Sequence, residues 1–265
     1  MNQHKVCVLI CNHNYSHYIE DAIKSALDQD YENTTICIVD DCSTDNSLSI
    51  IDSYLHNDIY YISTKVYQDN LNSTFYEYKL SNNIDVLLIA LHKNVGPSEA
   101  RNVGIQNSLD CNFYQILDAD DIMKSNKVST LVAYAQQSNQ IGVVYADYDI
   151  LNTETGNVIR EYKEPFDKTR LIQECIVHSG ALIRKEALVS VKDEFGYYDK
   201  YMRCAEDYDL WIRISDKFII FHCPESLTTV RNHPQNSTLT VDKTVWNSNL
   251  NRIAQKIQIR QNAKF

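Results

Sequence analysis

The strongest constraint on this chain is a rhythm. Short, continuously apolar runs alternate with segments whose apolar residues recur at helical spacing. Residues 5–11 carry the run Val-Cys-Val-Leu-Ile-Cys. Such a run fits a strand buried on both faces of a parallel sheet, where no solvent face interrupts it with polar side chains. Asn12-His13-Asn14-Tyr15 breaks it, Ser16 is placed to cap a helix, and Ile19, Ala22, Ile23, Ala26 and Leu27 follow on one face. Residues 35–39 repeat the strand pattern and Asp40 to Asp45 stop it. Ser43 or Thr44 is then placed to cap a helix lined by Leu48, Ile51 and Leu55. A β-α-β-α order implies parallel strands joined by right-handed crossovers, with loops gathered at the strand C-termini where ligands bind.

The rhythm resumes with strands at 86–91, 113–117 and 141–146 and helices at 97–109 and 127–137. Residues 57–85, rich in Tyr, Asn and Ser, interrupt it; only 59–62 look strand-like, and the stretch reads as an insertion. Beyond Tyr148 the pattern loosens, with helices near 185–191 and 207–215 and a last apolar strand at 218–221. Residues 245–264 predict an amphipathic helix whose Trp246, Leu250, Ile253 and Ile257 pack on the body. With no repeat and no linker, one α/β domain over 1–265 is expected, its central sheet mostly parallel and flanked by helices. Only 6 Gly and 4 Pro argue against an all-β sandwich, and 44% hydrophobic residues suffice for a core. A net charge of −10 argues against a nucleic-acid partner, which needs a basic face. No apolar stretch nears the roughly 20 residues of a membrane helix, and 6–11 is too short for a signal-peptide core. The 8 cysteines form no CxxC pair and mostly lie in apolar stretches, as reduced core residues do. The expected location is cytoplasmic, and attachment at a membrane surface is compatible with it.

Five constellations carry chemistry. Asp118-Ala119-Asp120-Asp121 ends an apolar strand, and three carboxylates so close repel unless a cation or solvent compensates. A divalent ion with a bound diphosphate, or a solvated loop capping the next helix, would each account for it. Asp40-Asp41-Cys42-Ser43-Thr44-Asp45 offers a carboxylate to a base N–H, although capping alone explains Ser43 and Asp45. In the stretch from Lys93 to Gly104 a Gly-Pro turn feeds a helix carrying Arg101, placed to face phosphates or a nucleoside, or to form a surface ion pair. Glu206-Asp207 stand at a helix start, ordinary on dipole grounds yet well held for a general base. Arg231-Asn232-His233-Pro234 adds a single histidine in a polar segment, expected outside the core.

Together these motifs resemble the inverting family-2 glycosyltransferases of the GT-A fold, a Rossmann-like nucleotide-diphospho-sugar transferase fold. The resemblance covers roughly residues 5–235. It implies a nucleotide-binding half at 1–121, an acceptor and catalytic half at 122–240, and a C-terminal helix at 241–265. Asp41 would bind the donor's base and Arg101 would lie near the nucleotide, with Asn12, His13, Asn14 and Asn94 completing the donor site. Asp118 and Asp120 form the family's DxD, with Asp118 nearer the ribose and Asp120 the favoured metal ligand; Asp121, a further donor-site carboxylate, is also a candidate for the metal, since family members differ in which carboxylate touches it. Asp207 matches the catalytic base and His233 a histidine that helps hold metal or diphosphate. Cys11 and His13 stand where many members have Thr and Tyr, Cys42 replaces the usual Gly, and 57–85 is longer than the family connection.

The resemblance implies transfer of a sugar, a hexose or N-acetylhexosamine from a UDP-sugar above all, to an acceptor hydroxyl. The acceptor is a glycan, a lipid-linked molecule or a protein, as in polysaccharide or glycan biosynthesis. Mn²⁺ or Mg²⁺ would assist departure of the nucleotide diphosphate, and Asp207 would take the acceptor's proton during in-line, inverting attack. A sugar nucleotidyltransferase would need a glycine-rich phosphate loop after the first strand, which Asn12 to Tyr15 lack. A non-catalytic nucleotide-sugar-binding protein on the same fold is the other alternative.

Overall fold

The computed structural model describes residues 4–57, 59–67 and 72–262. Its centre is built as the alternation predicts. Strands β1 (Val6–Asn12) and β2 (Thr34–Asp40) are linked by helix α1 (Ile19–Leu27). After helix α2 (Ser47–His56) come strands β3 (Ile59–Tyr67), β4 (Ser73–Leu80) and β5 (Asp85–Leu91). Helix α3 (Pro97–Asn107) leads to β6 (Phe113–Asp118), and β5, β2, β1 and β6 lie side by side, all parallel. Along β1 the side chains alternate between two cores. Cys7 and Leu9 join the cluster under α3, while Val6, Val8 and Ile10 pack with Ile19, Ala22 and Ile23 of α1. Burial on both faces is why the run carries no polar residue.

The second half follows a short β7 (Ile122–Met123) and helix α4 (Lys127–Ala135). It comprises strands β8 (Ile141–Asn152) and β9 (Val158–Glu161), helix α5 (Lys168–Gln173), strand β10 (Leu182–Arg184) and helices α6 (Lys185–Val191) and α7 (Glu206–Ser215). Strand β11 (Ile219–Asn232) and helices α8 (Ser237–Thr240) and α9 (Lys243–Asn262) close the chain. The sheet runs β3-β4-β5-β2-β1-β6-β10-β8-β11-β7, with β9 added to β8. Among the described residues, parallel pairing is confined to the four central strands and to β8 with β11; the flanks are antiparallel.

Several local expectations are corrected. The stretch 57–85 is not an irregular insertion: β3 and β4 form an antiparallel hairpin that extends the sheet beyond β5. Residues 58 and 68–71 of that stretch lie outside the described residues. Ser16 does not cap α1; its N–H donates instead to Asp45 Oδ2 at 2.9 Å. Neither Ser43 nor Thr44 caps α2, where Asp45 Oδ1 accepts from Ser47 N at 2.9 Å and the Ser43 hydroxyl turns back to Asp40. The strand expected at 218–221 runs on through Asn232, so Arg231 and Asn232 belong to β11. Helix α9 ends at Asn262 within the described residues and buries Ile253, while Leu250 stays 42% exposed. Of the cysteines, five are buried free thiols, whereas Cys11 and Cys42 are half-buried and Cys175 is exposed.

Candidate active site

The parallel strands end together, and the loops leaving β1, β2, β5 and β6 form one wall of a cleft of about 1000 Å³. The other wall comes from the 173–179 segment, the start of α7, the end of β11 and the first turns of α9. Asn12, His13, Asp41, Asn94, Arg101, Asp118, Asp120, Asp121 and Asp207 all line it. Two expected residues do not. Asn14 braces the neighbouring turn, its Oδ1 accepting from Thr44 N at 2.7 Å, and His233 lies beneath the surface.

The β2 end is held by a dense hydrogen-bond set. Asn12 Nδ2 donates to Asp40 Oδ1 at 2.7 Å, and His13 Nδ1 donates to the Asp41 carbonyl at 2.8 Å. Asp41 accepts from Val95 N at 2.6 Å and Gly96 N at 2.7 Å, one on each oxygen. Burial raises its pKa, and those two amides partly offset the effect. A carboxylate offers about four acceptor sites, so a base N–H still has room. Two backbone conformations support this region. Cys42 has φ +59°, in the left-handed region that explains the glycine usual at this place. Gly96 has φ +89°, and a Cβ there would lie 2.7 Å from the Arg203 guanidinium.

At the β6 end Arg101 has a different setting from either expectation. It is only 8% exposed and is neither a surface ion pair nor an open cation. One arm donates to Asp118 Oδ1 at 2.9 Å and the other to Glu206 Oε1. It thereby ties the strand that carries the DxD to the helix that carries Asp207. Burial pushes Asp118 up, but Arg101 and the Ser179 hydroxyl, 3.0 Å away, bring its pKa below the ordinary range. Asp120 and Asp121 shift the other way: burial and then the neighbouring carboxylates hold both above it. Asp120 Oδ2 accepts from His233 Nε2 at 3.1 Å and Asn236 Nδ2 at 3.2 Å, and Asp121 Oδ1 accepts from Arg231 N at 3.1 Å.

The polar segment predicts His233 outside the core, yet it is 2% exposed. Its ring lies 4.5 Å from that of Tyr18 and 5.9 Å from that of Tyr15. It is enclosed because β11 continues to Asn232 and delivers it behind Asp120. Gln235 N–H donates to its Nδ1 at 3.2 Å, so Nε2 carries the proton that Asp120 accepts.

Asp207 stands in the first turn of α7, two residues after the N-cap Ala205, whose φ of +56° is strained for a residue with a side chain. Its Oδ1 accepts from Tyr208 N at 2.8 Å. Burial, and then the charge of Glu206, push its pKa up to about 7. A carboxylate poised near neutral pH is suited to accepting a proton. Sequence reasoning missed His178, Ser179, Arg203, Asn236 and Tyr148. Of these, Asn236 alone carried a signal, as the third residue after His233 in a polar turn.

The fold is GT-A, shared with solved glycosyltransferases. One is S. aureus TarS 1–349 in complex with UDP, at TM-score 0.61 and 18% identity over 87% of this chain and 61% of that one. Another is the mannosyltransferase PcManGT from Pyrobaculum calidifontis in complex with GDP-Man and Mn²⁺, at TM-score 0.63 and 15% identity over 89% of this chain and 59% of that one. The family model Glycosyl transferase family 2 matches residues 7–191, and the chain belongs to that family. A protein of Haemophilus influenzae named an uncharacterized glycosyltransferase is 25% identical over 98% of this chain and 73% of its own length. The chain therefore spans under two thirds of the two solved proteins. Among the described residues no helix is long and apolar enough to cross a membrane.

Proposed function

We propose that this chain transfers a sugar from a nucleotide-diphosphate sugar to an acceptor hydroxyl with inversion, using Asp207 as general base. The observation that carries the reading is the Arg101 bridge, which sets the Asp118 end of the cleft and the Asp207 helix against one another. The β1 and β2 ends, with Asn12, His13, Asp41 and Asn94, would take the nucleoside. The 122–240 half would then present the acceptor. The hydroxyl of an acceptor loses its proton only as it attacks, and a carboxylate with a pKa near 7 is ionised above that pH and basic enough there to accept it. Among the neighbours, TarS was solved with UDP and PcManGT with GDP-Man, which supports a nucleotide-sugar donor without choosing the base.

A divalent cation, Mn²⁺ or Mg²⁺, fits the chemistry of Asp118, Asp120 and Asp121, since hard cations take oxygen ligands. Among the described residues no three His, Cys, Asp or Glu side chains are gathered as a ready-made cation site. Cations of this kind are often held by one or two carboxylates together with substrate phosphates. Asp120 would be the protein ligand, with His233 behind it holding that carboxylate in place through its Nε2–H. Bound there, the cation would supply neutralisation of the leaving diphosphate. Calorimetry with UDP and GDP should show nucleotide affinity that depends on Mn²⁺ and collapses in EDTA. Unchanged affinity after chelation would remove the metal from the account.

His233→Ala should weaken that metal-dependent binding and, because the ring is enclosed by Tyr15 and Tyr18, cost about 1 kcal/mol of stability. A metal titration identical to that of the wild type would leave His233 with packing alone. The function itself is tested by incubating the protein with Mn²⁺ and a panel of nucleotide sugars. Slow donor hydrolysis is expected; pyrophosphate-dependent exchange, or binding without turnover, would contradict it.

A further inference from the structure

His178 is a cleft-lining side chain to which nothing above gives a role. It lies in the irregular segment between α5 and β10, yet its position is fixed from three sides. Its ring lies against Tyr148 of β8, with centroids 4.3 Å apart and planes tilted by 33°. Gly180 N–H donates to its Nδ1 at 3.1 Å, and its neighbour Ser179 donates to Asp118 at 3.0 Å. Behind it stands Lys127, a lysine only 1% exposed whose Nζ donates to Thr228 Oγ1 at 2.7 Å. A Cβ on Gly180 would lie 3.1 Å from the His178 ring and 3.2 Å from the Lys127 ammonium, so these groups meet at that glycine.

This arrangement dictates the state of the ring. A nitrogen that accepts a backbone N–H holds no proton, so in the neutral imidazole the proton is on Nε2. Burial and then the Lys127 charge disfavour a second cation here and hold the pKa down to about 3. His178 is thus a neutral donor with an unmatched N–H, since Nε2 has no protein partner among the described residues. Its surroundings in the cleft are chiefly acceptors. Asp118, Asp120, Asp121, Glu206 and Asp207 offer carboxylates, and the two arms of Arg101 are engaged by two of them.

We propose that His178 Nε2–H binds a neutral oxygen of the transferred sugar, a hydroxyl or an amide carbonyl, and so helps determine which sugar the cleft accepts. Anionic phosphate oxygens are served best by charged donors, whereas one neutral N–H beside the Asp118 carboxylate suits an uncharged oxygen. The assignment rests on the nucleotide-sugar reading above.

The test compares nucleoside diphosphates with nucleotide sugars in the presence of Mn²⁺. His178→Phe keeps an aromatic ring against Tyr148 and removes the donor; His178→Gln restores an amide N–H near the place of Nε2. Binding of UDP and GDP should stay within about twofold of wild type in both variants. For the accepted nucleotide sugar, His178→Phe should lose about tenfold or more in affinity and in hydrolytic kcat/KM, and His178→Gln should recover most of it. Equal losses for the diphosphate and the nucleotide sugar would overturn the sugar contact, as would no loss for either. Wild-type protein that binds none of these nucleotides would overturn the functional reading and this role with it.

Discussion

Replacing Asp207 by Asn should slow sugar transfer by about 10²–10⁴-fold, the usual cost of losing a positioned base. Nucleotide and metal binding should be little changed. The amide keeps the shape of the carboxyl and still accepts from Tyr208 N, so the first turn of α7 stays as it is. The contacts assigned to the nucleotide lie on the loops after β1, β2 and β5 and do not involve this side chain. The loss should therefore appear in kcat rather than in donor affinity. The same assignment fixes a pH dependence. Burial and Glu206 hold the pKa of Asp207 up to about 7, so the base is ionised above that value and protonated below it. The wild-type rate should fall about tenfold per pH unit below 7, following the fraction of ionised base. Glu206→Gln removes the neighbouring charge and should move that limb toward lower pH. Near-wild-type turnover by Asp207→Asn would take Asp207 out of the mechanism.

Replacing Arg101 by Met should produce the largest loss of stability among site variants. Arg101 and Glu206 are both nearly enclosed, with side-chain exposures of 9% and 10%. Removing one partner of a buried ion pair leaves the other uncompensated and costs about 3–5 kcal/mol. Asp118, at 32% side-chain exposure, keeps some hydration, which places the expected loss at about 3 kcal/mol, the lower end of that range. For a chain of this size that lowers Tm by roughly 6–12 °C. Arg101→Met combined with Glu206→Met should recover part of the loss, because no charge is then stranded at that end. A thermal scan of Arg101→Met coincident with wild type would show that the bridge does not hold the two halves of the site.

The central strands were legible in the sequence because burial on both faces writes a continuous apolar run, and their helices because one apolar face writes a helical period. The carboxylates of the DxD and of α7 were legible because charge at the end of an apolar element is costly and therefore informative. What joins those elements was not. Asp118 and Glu206 meet through Arg101 although neither is local to it in sequence. The burial of His233 depends on β11 continuing past a bulged stretch of pairing between Cys223 and Thr229, where no apolar alternation marks a strand. The β3–β4 hairpin was obscured by its Tyr, Asn and Ser content, which reads equally as loop. His178 and Ser179 lie in a segment without period, and their link to Asp118 spans 61 positions from Ser179. Residue identities named the chemistry; long-range pairing decided which groups share a proton.

The central claim is inverting transfer from a nucleotide sugar at this cleft, and the anomeric configuration of the released sugar tests it most directly. Proton NMR during hydrolysis of an α-linked nucleotide sugar with Mn²⁺ should show the β-anomer of the free sugar first, before mutarotation. Asp207→Asn should suppress its appearance. The α-anomer appearing first would contradict in-line attack assisted by Asp207, and the absence of turnover across the UDP- and GDP-sugars would contradict the transfer itself.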